Sequence, residues 1–295
     1  MNTRRIAAVI ALLLVATAWG ATFTLIKDVL GRIAPEPFIF WRFTIAGLVL
    51  CALAAARRQF TRAVIAPGTI LGMLVFIGYW AQTRGLLFIS PSRSALLTGL
   101  YVVMVPFFGR ATSRAWIASV LALIGTALLI GGFDARPTLG DALTVFGAAC
   151  FAFHIVLSAK YSATQPALAL AAVQVLVVGL AAAPISLFAP RAPMTRTVVI
   201  VILFTALVTT ALAFVALMWG QARVSATEGA VILAFEPVAA ALTSILFYGE
   251  PVTFGVVVGG GLILGGMVLS QIAPAAGAGQ RTADSGQQGT TARLE

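Results

Sequence analysis

The chain has 295 residues, of which 60% are hydrophobic and 9% are Asp, Glu, Lys or Arg, and its mean hydropathy is +1.03. A soluble domain carries about 25% charged residues, so this composition excludes a water-soluble globular protein and leaves lipid to cover the surface. The formal net charge of +10 does not signal nucleic-acid binding, because the basic residues stand at the ends of apolar segments with no basic-aromatic surface.

Arg4-Arg5 followed by an apolar run has the look of a signal peptide, but no Ala-x-Ala cleavage site follows in a clear polar region, so a retained first helix is expected. Ten helical spans are predicted, at 6–26, 37–56, 68–88, 92–108, 116–132, 141–158, 168–188, 198–219, 226–248 and 252–272. Their connections are short and no soluble domain interrupts them. The 273–295 tail is rich in Ala, Gly, Gln and Thr and is expected to be flexible. Cys51 and Cys150 lie in apolar windows and read as small buried side chains, not a disulfide framework. Lys and Arg near span ends favour the side of the N-terminus, which predicts both termini in the cytoplasm.

The two halves repeat. Each has an aromatic-rich segment with a Gln (Gln82, Gln221), a Ser- and Ala-rich helix start, a proline within a span (Pro106, Pro237) and a glycine-rich last helix. Five crossings per half is an odd number, so the second copy enters from the opposite side. Two inverted five-helix repeats are expected, an arrangement that supports alternating access in secondary transporters. The predicted units are 5–133 and 141–272. The halves differ at one place: Pro106 is followed by two residues before Gly109, whereas Pro237 is followed by eleven before Gly249. Either span 4 is short or its apparent end is drawn into the membrane.

Trp19-Gly20-Ala21-Thr22-Phe23, Trp41-Arg42-Phe43, Leu100-Tyr101-Val102-Val103 with Pro106, Glu236-Pro237 and Tyr248-Gly249-Glu250-Pro251 occur in an order that resembles the drug/metabolite transporter superfamily, in particular its ten-span members built from two EamA domains. The resemblance implies an inner-membrane carrier or facilitator of small organic solutes, with amino-acid export common among members. It also implies that spans 1, 3, 4, 6, 8 and 9 line a central cavity, with spans 5 and 10 at the ends of the bundle.

Glu236 is the sharpest polar candidate: a carboxylate inside a span is costly unless it faces protein or water. A coupling proton, a substrate amine and an interhelical hydrogen bond all fit it. His154, the one histidine, is a candidate for protonation or for packing. Trp19, Phe23, Tyr79, Tyr101 and Trp219, with Trp80 and Met218, suit either an amphipathic pocket or interface anchoring. Gln82 and Thr98, with Ser94, Gln174 and Gln221, offer neutral hydrogen bonds to a solute or between helices. Arg42, Arg84, Arg93 and Arg223 are expected chiefly to snorkel towards headgroups, with carboxylate binding as the alternative. Gly68/Gly72, Gly255/Gly259 and Gly261/Gly265 allow close helix contact.

The substrate-binding set is therefore Trp19, Phe23, Tyr79, Gln82, Thr98, Tyr101, His154, Trp219 and Glu236. The expected function is secondary transport, foremost export of amino acids with hydrophobic or aromatic ones favoured. A multidrug or other metabolite carrier, a channel and an intramembrane enzyme are the alternatives. An enzyme lacks a paired carboxylate site or His-x-x-x-His spacing, and no Gly-x-x-x-x-Gly-Lys-Ser/Thr loop points to ATP. No cofactor or metal is expected. The expected partners are a small-molecule substrate, the bilayer and protons as coupling ion, with a monomer favoured over a dimer through span 10.

Overall fold

Every regular element is helical in the computed structural model, which describes residues 3–108, 111–130, 137–190, 193–248 and 251–272. The helices are α1 (Thr3–Gly20), α2 (Phe23–Leu30), α3 (Pro35–Ala56), α4 (Arg62–Gly85), α5 (Pro91–Gly99), α6 (Tyr101–Phe108), α7 (Ser113–Ile130) and α8 (Leu139–Ser162). They continue as α9 (Ala167–Leu187), α10 (Arg196–Ala206), a widened π-turn (Leu207–Leu212), α11 (Ala213–Gln221), α12 (Ala226–Leu233), α13 (Glu236–Tyr248) and α14 (Phe254–Ile272). The Gly249-Glu250 pair and the 273–295 tail lie outside the described residues.

Among the described residues eight helical segments are long and apolar enough to cross a membrane, so this is a multi-pass membrane protein. The segments expected as spans 4 and 5, Arg93–Phe108 and Ser113–Leu129, are apolar but shorter. The described part of the fourth ends at Phe108, soon after Pro106. The third begins earlier than expected, at Arg62, with Pro67 inside the helix. A proline there removes one bond of the ladder near the helix start without ending it.

Local sequence explains the starts. Pro35 and Pro91 occupy first-turn positions, where a missing amide proton costs nothing. Thr138 with Asp141, and Ser225 with Glu228, form capping boxes at the starts of α8 and α12. Three expected spans are interrupted within the bundle. The first breaks at Ala21-Thr22, the fourth at Leu100 and the ninth at Ala234-Phe235.

Packing joins the halves. α3 lies against α9 and α7 against α14, while α1 packs on α11, α12 and α13 and α8 packs on α4, α5 and α6. Small residues permit these approaches. A Cβ on Gly259 would lie 2.5 Å from Leu129 N of α7, so α7 and α14 can meet only while Gly259 has no side chain. The second glycine pair of α14 behaves otherwise: a Cβ on Gly261 or Gly265 would meet nothing within 4 Å. Its reading as a close contact within the subunit is corrected. Helical phase turns these two glycines away from α7.

Candidate substrate cavity

The helix breaks surround a cavity. Its unfilled space, including the part open to the outside, is about 820 Å³. Trp19, Tyr79, Gln82, Thr98, Tyr101, His154 and Glu236 line it together. They come from the expected spans 1, 3, 4, 6 and 9, and Phe214 and Leu217 add span 8. The six spans implied by the family resemblance all contribute, and span 2 joins them through Phe38 and Arg42.

Rings form much of the wall. Phe43 and Tyr79 meet edge-on at 5.1 Å, Tyr79 and Phe151 at 5.5 Å, and Trp19 tilts against Phe214 at 5.9 Å. Such pairs fix ring orientation while leaving apolar faces for a solute. Polar groups are few and held. Gln82 Nε2 donates to Thr98 Oγ1 (2.8 Å). His154 Nε2 is 2.8 Å from Gln174 Oε1 and 3.3 Å from Ser158 Oγ, so the imidazole also ties α8 to α9. At the α1 break Thr22 Oγ1 donates to Ala18 O (3.1 Å) and to Trp19 O (2.9 Å), which also accepts from Thr22 N.

Glu236 opens α13, directly after the Ala234-Phe235 break. Pro237 cannot donate to the Leu233 carbonyl, and Phe235 N already turns back to Ile232 O (3.1 Å). The interruption therefore falls where the proline removes the ladder bond. It places Glu236 in a first turn, whose amides lack intrahelical partners and favour negative charge. Among the described residues the carboxylate has no hydrogen-bond or ion-pair partner, and it borders the cavity. Gly20 makes room for it: a Cβ there would run into the Glu236 carbonyl oxygen and lie 3.0 Å from Ala239 Cβ.

Arg42 departs from expectation. It does not snorkel but is 2% exposed within the bundle. Nε donates to Thr210 Oγ1 (2.7 Å), and Nη2 donates to Thr209 Oγ1 (3.1 Å) and Thr209 O (3.3 Å). The widened turn makes this possible. Ala213 N donates to Thr210 O and Val208 O, passing over Thr209 O, which is left to accept from Arg42 and from Trp19 Nε1 (2.9 Å). A π-turn inside a helix exposes a carbonyl in this way. The guanidinium also lies 5.4 Å from the ring centroids of Phe43 and Tyr79.

Three other arginines are held by specific partners. Arg93 Nε donates to Asp141 Oδ1 (2.6 Å), Arg84 Nε is 3.3 Å from Glu36 Oε1, and Arg223 sits 4.0 Å over the Trp219 ring. That stacking accounts for Trp219. Trp219 stands near the end of α11 beneath Arg223, half-buried against the core and outside the cavity-lining residues. The Phe23 side chain lies outside the described part of the chain.

The sequence reading left Thr22, Thr209, Thr210 and Phe214 out of the candidate set. The adjacent pair Thr209-Thr210 inside an otherwise apolar span was the available signal. Among the described residues no group of three His, Cys, Asp or Glu side chains is placed to hold a metal ion.

A helical bundle that crosses the bilayer many times around a mixed polar and aromatic cavity defines the class as a membrane transporter. The chain belongs to the EamA-like transporter family, which it matches over residues 6–131 and 138–271. Membership makes it a small-molecule transporter of the drug/metabolite type and not an enzyme. It is 29% identical over 261 residues to an "Uncharacterized transporter" of Archaeoglobus fulgidus, covering 85% of this chain and 82% of that protein. It is 27% identical over 193 residues to the "Uncharacterized transporter YyaM" of Bacillus subtilis, covering 57% and 63%. A protein known from its crystal structure shares the fold at a TM-score of 0.78 and 18% identity, over 91% of this chain and 98% of its own.

Proposed function

We propose that the protein is a secondary carrier that exports amino acids, hydrophobic or aromatic ones foremost, across the bacterial inner membrane by alternating access. The observation that carries this reading is the cavity itself: an unpartnered carboxylate, Glu236, borders an aromatic-walled space at a helix break. A carboxylate so placed binds an ammonium group or a coupling proton, and the rings of Trp19, Tyr79 and Phe151 receive an apolar side chain.

Two further features support alternation. Exchanging spans 1 to 5 with spans 6 to 10 maps the packing onto itself: α3 with α9, α7 with α14, and α4 on α8 with α11 on α1. That is the expectation for two inverted five-helix units at 5–133 and 141–272. The broken helices also carry matching ties. At the start of α5, Arg93 bonds to Asp141 in the capping box of α8 (2.6 Å). At the start of α12, Glu228 in its own capping box bonds to Arg5 of α1 (2.5 Å). Five crossings separate Arg5 from Asp141, so the ties fall on opposite faces. Releasing one while keeping the other opens one side at a time. The carrier acts as a monomer with both termini in the cytoplasm.

A panel of labelled amino acids in liposomes, with internal and external pH set independently, tests the substrate and the coupling. Saturable flux of phenylalanine or leucine that follows the pH gradient is expected. Saturable flux confined to sugars or nucleotides would sink the amino-acid assignment.

A further inference from the structure

Among the described cavity-lining residues Arg42 is the only Lys or Arg. Its hydrogen bonds go to neutral groups: Thr209 Oγ1, Thr209 O, Thr210 Oγ1 and the Tyr79 hydroxyl. No carboxylate of a described residue lies within 4.0 Å of it; the ion pairs run instead between Arg5 and Glu228, Arg84 and Glu36, and Arg93 and Asp141. A guanidinium carries five N–H donors. The clamp uses Nε and Nη2, and the Tyr79 hydroxyl is the one further described partner of the guanidinium, so the five donors are not all taken up. A buried arginine that served only to join helices would be cheaper as a neutral side chain, because desolvating an uncompensated charge is expensive. The cost is explained if an anion completes the site. Tyr79 lies within electrostatic reach of both Arg42 and Glu236, so the base and the acid share one chamber.

We propose that Arg42, oriented by the Thr209-Thr210 clamp of the widened turn, is the carboxylate subsite of the transport cavity. The substrate class is then a solute with a carboxylate for Arg42 and an ammonium for Glu236. This rests on the carrier reading above and sharpens it, since an amphipathic pocket with Glu236 alone would accept a simple amine equally well. Arg42 is suited to the task because a planar guanidinium engages both carboxylate oxygens where a lysine would act as a point charge. The Thr209 and Thr210 bonds hold it in place between transport cycles, so little ordering is left to occur when the carboxylate arrives.

The test is competition against labelled phenylalanine flux in liposomes carrying the wild-type chain, with phenylalanine, phenylalaninamide and 3-phenylpropionate as competitors. Phenylalanine should outcompete phenylalaninamide by about tenfold or more, the scale of one charge-assisted hydrogen-bonded contact. In Arg42→Gln that preference should collapse towards unity while the preference over 3-phenylpropionate persists; Glu236→Gln should show the reverse. Arg42→Lys should recover part of the preference. If the wild type handles the amide as well as the free acid, the subsite is overturned and the carrier reading stands. The same holds if Arg42→Gln folds, by thermal melting in detergent, and weakens both competitors equally. If no labelled compound shows saturable flux, the carrier reading fails and the subsite with it. The wild-type comparison decides the matter even where Arg42→Gln does not fold.

Discussion

Two residues, Glu236 and Arg42, are the ones proposed to carry most of the chemistry, and their neighbours say what disturbing them does. Glu236→Gln keeps the shape of the side chain and removes its charge. The expected outcome is a fall of at least tenfold in kcat/KM, on the scale of a lost charged contact, together with loss of whatever pH dependence the wild type shows. Unchanged kinetics across pH would leave Glu236 a structural residue. Gly20→Ala tests the approach of α1 to α13 without replacing a polar side chain. Its Cβ would meet the Glu236 carbonyl oxygen, so transport should drop although neither cavity charge is altered. Gly260→Ala, where a Cβ meets nothing within 4 Å, should transport normally. Glu236, His154 and the aromatic set were legible in the sequence because each is unusual inside an apolar span. Arg42 was named there but assigned to the headgroups, since its position along a helix gave no sign of the acceptor waiting on a distant one. Thr209 lies 167 residues away, and its carbonyl is free only because the helix widens there.

At the scale of elements, the breaks matter more than the helices. Pro237 announces the break before α13, but no proline marks the one at Leu100 or the one at Ala21-Thr22. These follow from packing around the cavity, which sequence periodicity does not contain. The widened turn at Leu207–Leu212 was equally silent, because an apolar helix with one extra residue per turn looks like any other apolar helix. The two ties at helix starts make a prediction here. Arg93→Glu should break the tie to Asp141 and trap the carrier open on that face, seen as raised labelling of a cysteine placed in the cavity from that side alone. Adding Asp141→Arg should restore the wild-type pattern. Equal labelling from both sides in the single variant would mean that the pair only caps a helix. The α7 and α14 contact predicts stability instead. Gly259→Leu should overpack it and cost about 1–3 kcal/mol, read as a lower melting temperature in detergent, while Gly261→Leu leaves the melting temperature unchanged.

For the whole molecule, composition alone established a multi-pass helical membrane protein, and the order of motifs established the family resemblance that the match over 6–131 and 138–271 bears out. Within the described residues, two of the ten expected segments fall short of spanning length. Small residues at the crossings, among them Gly47 against Leu176 and Gly72 against Val177, draw the two halves into one bundle. The cavity takes walls from both halves, which is what a carrier needs if a rocking motion is to expose the same groups to each side in turn. Counterflow separates this account from a channel most directly. Liposomes carrying the protein and loaded with unlabelled phenylalanine are diluted into a trace of the labelled compound, with no ion gradient. The account predicts a transient accumulation of label above its external concentration, saturable in the internal phenylalanine and reduced in Glu236→Gln. Label that only equilibrates, at a rate indifferent to internal phenylalanine, would contradict it.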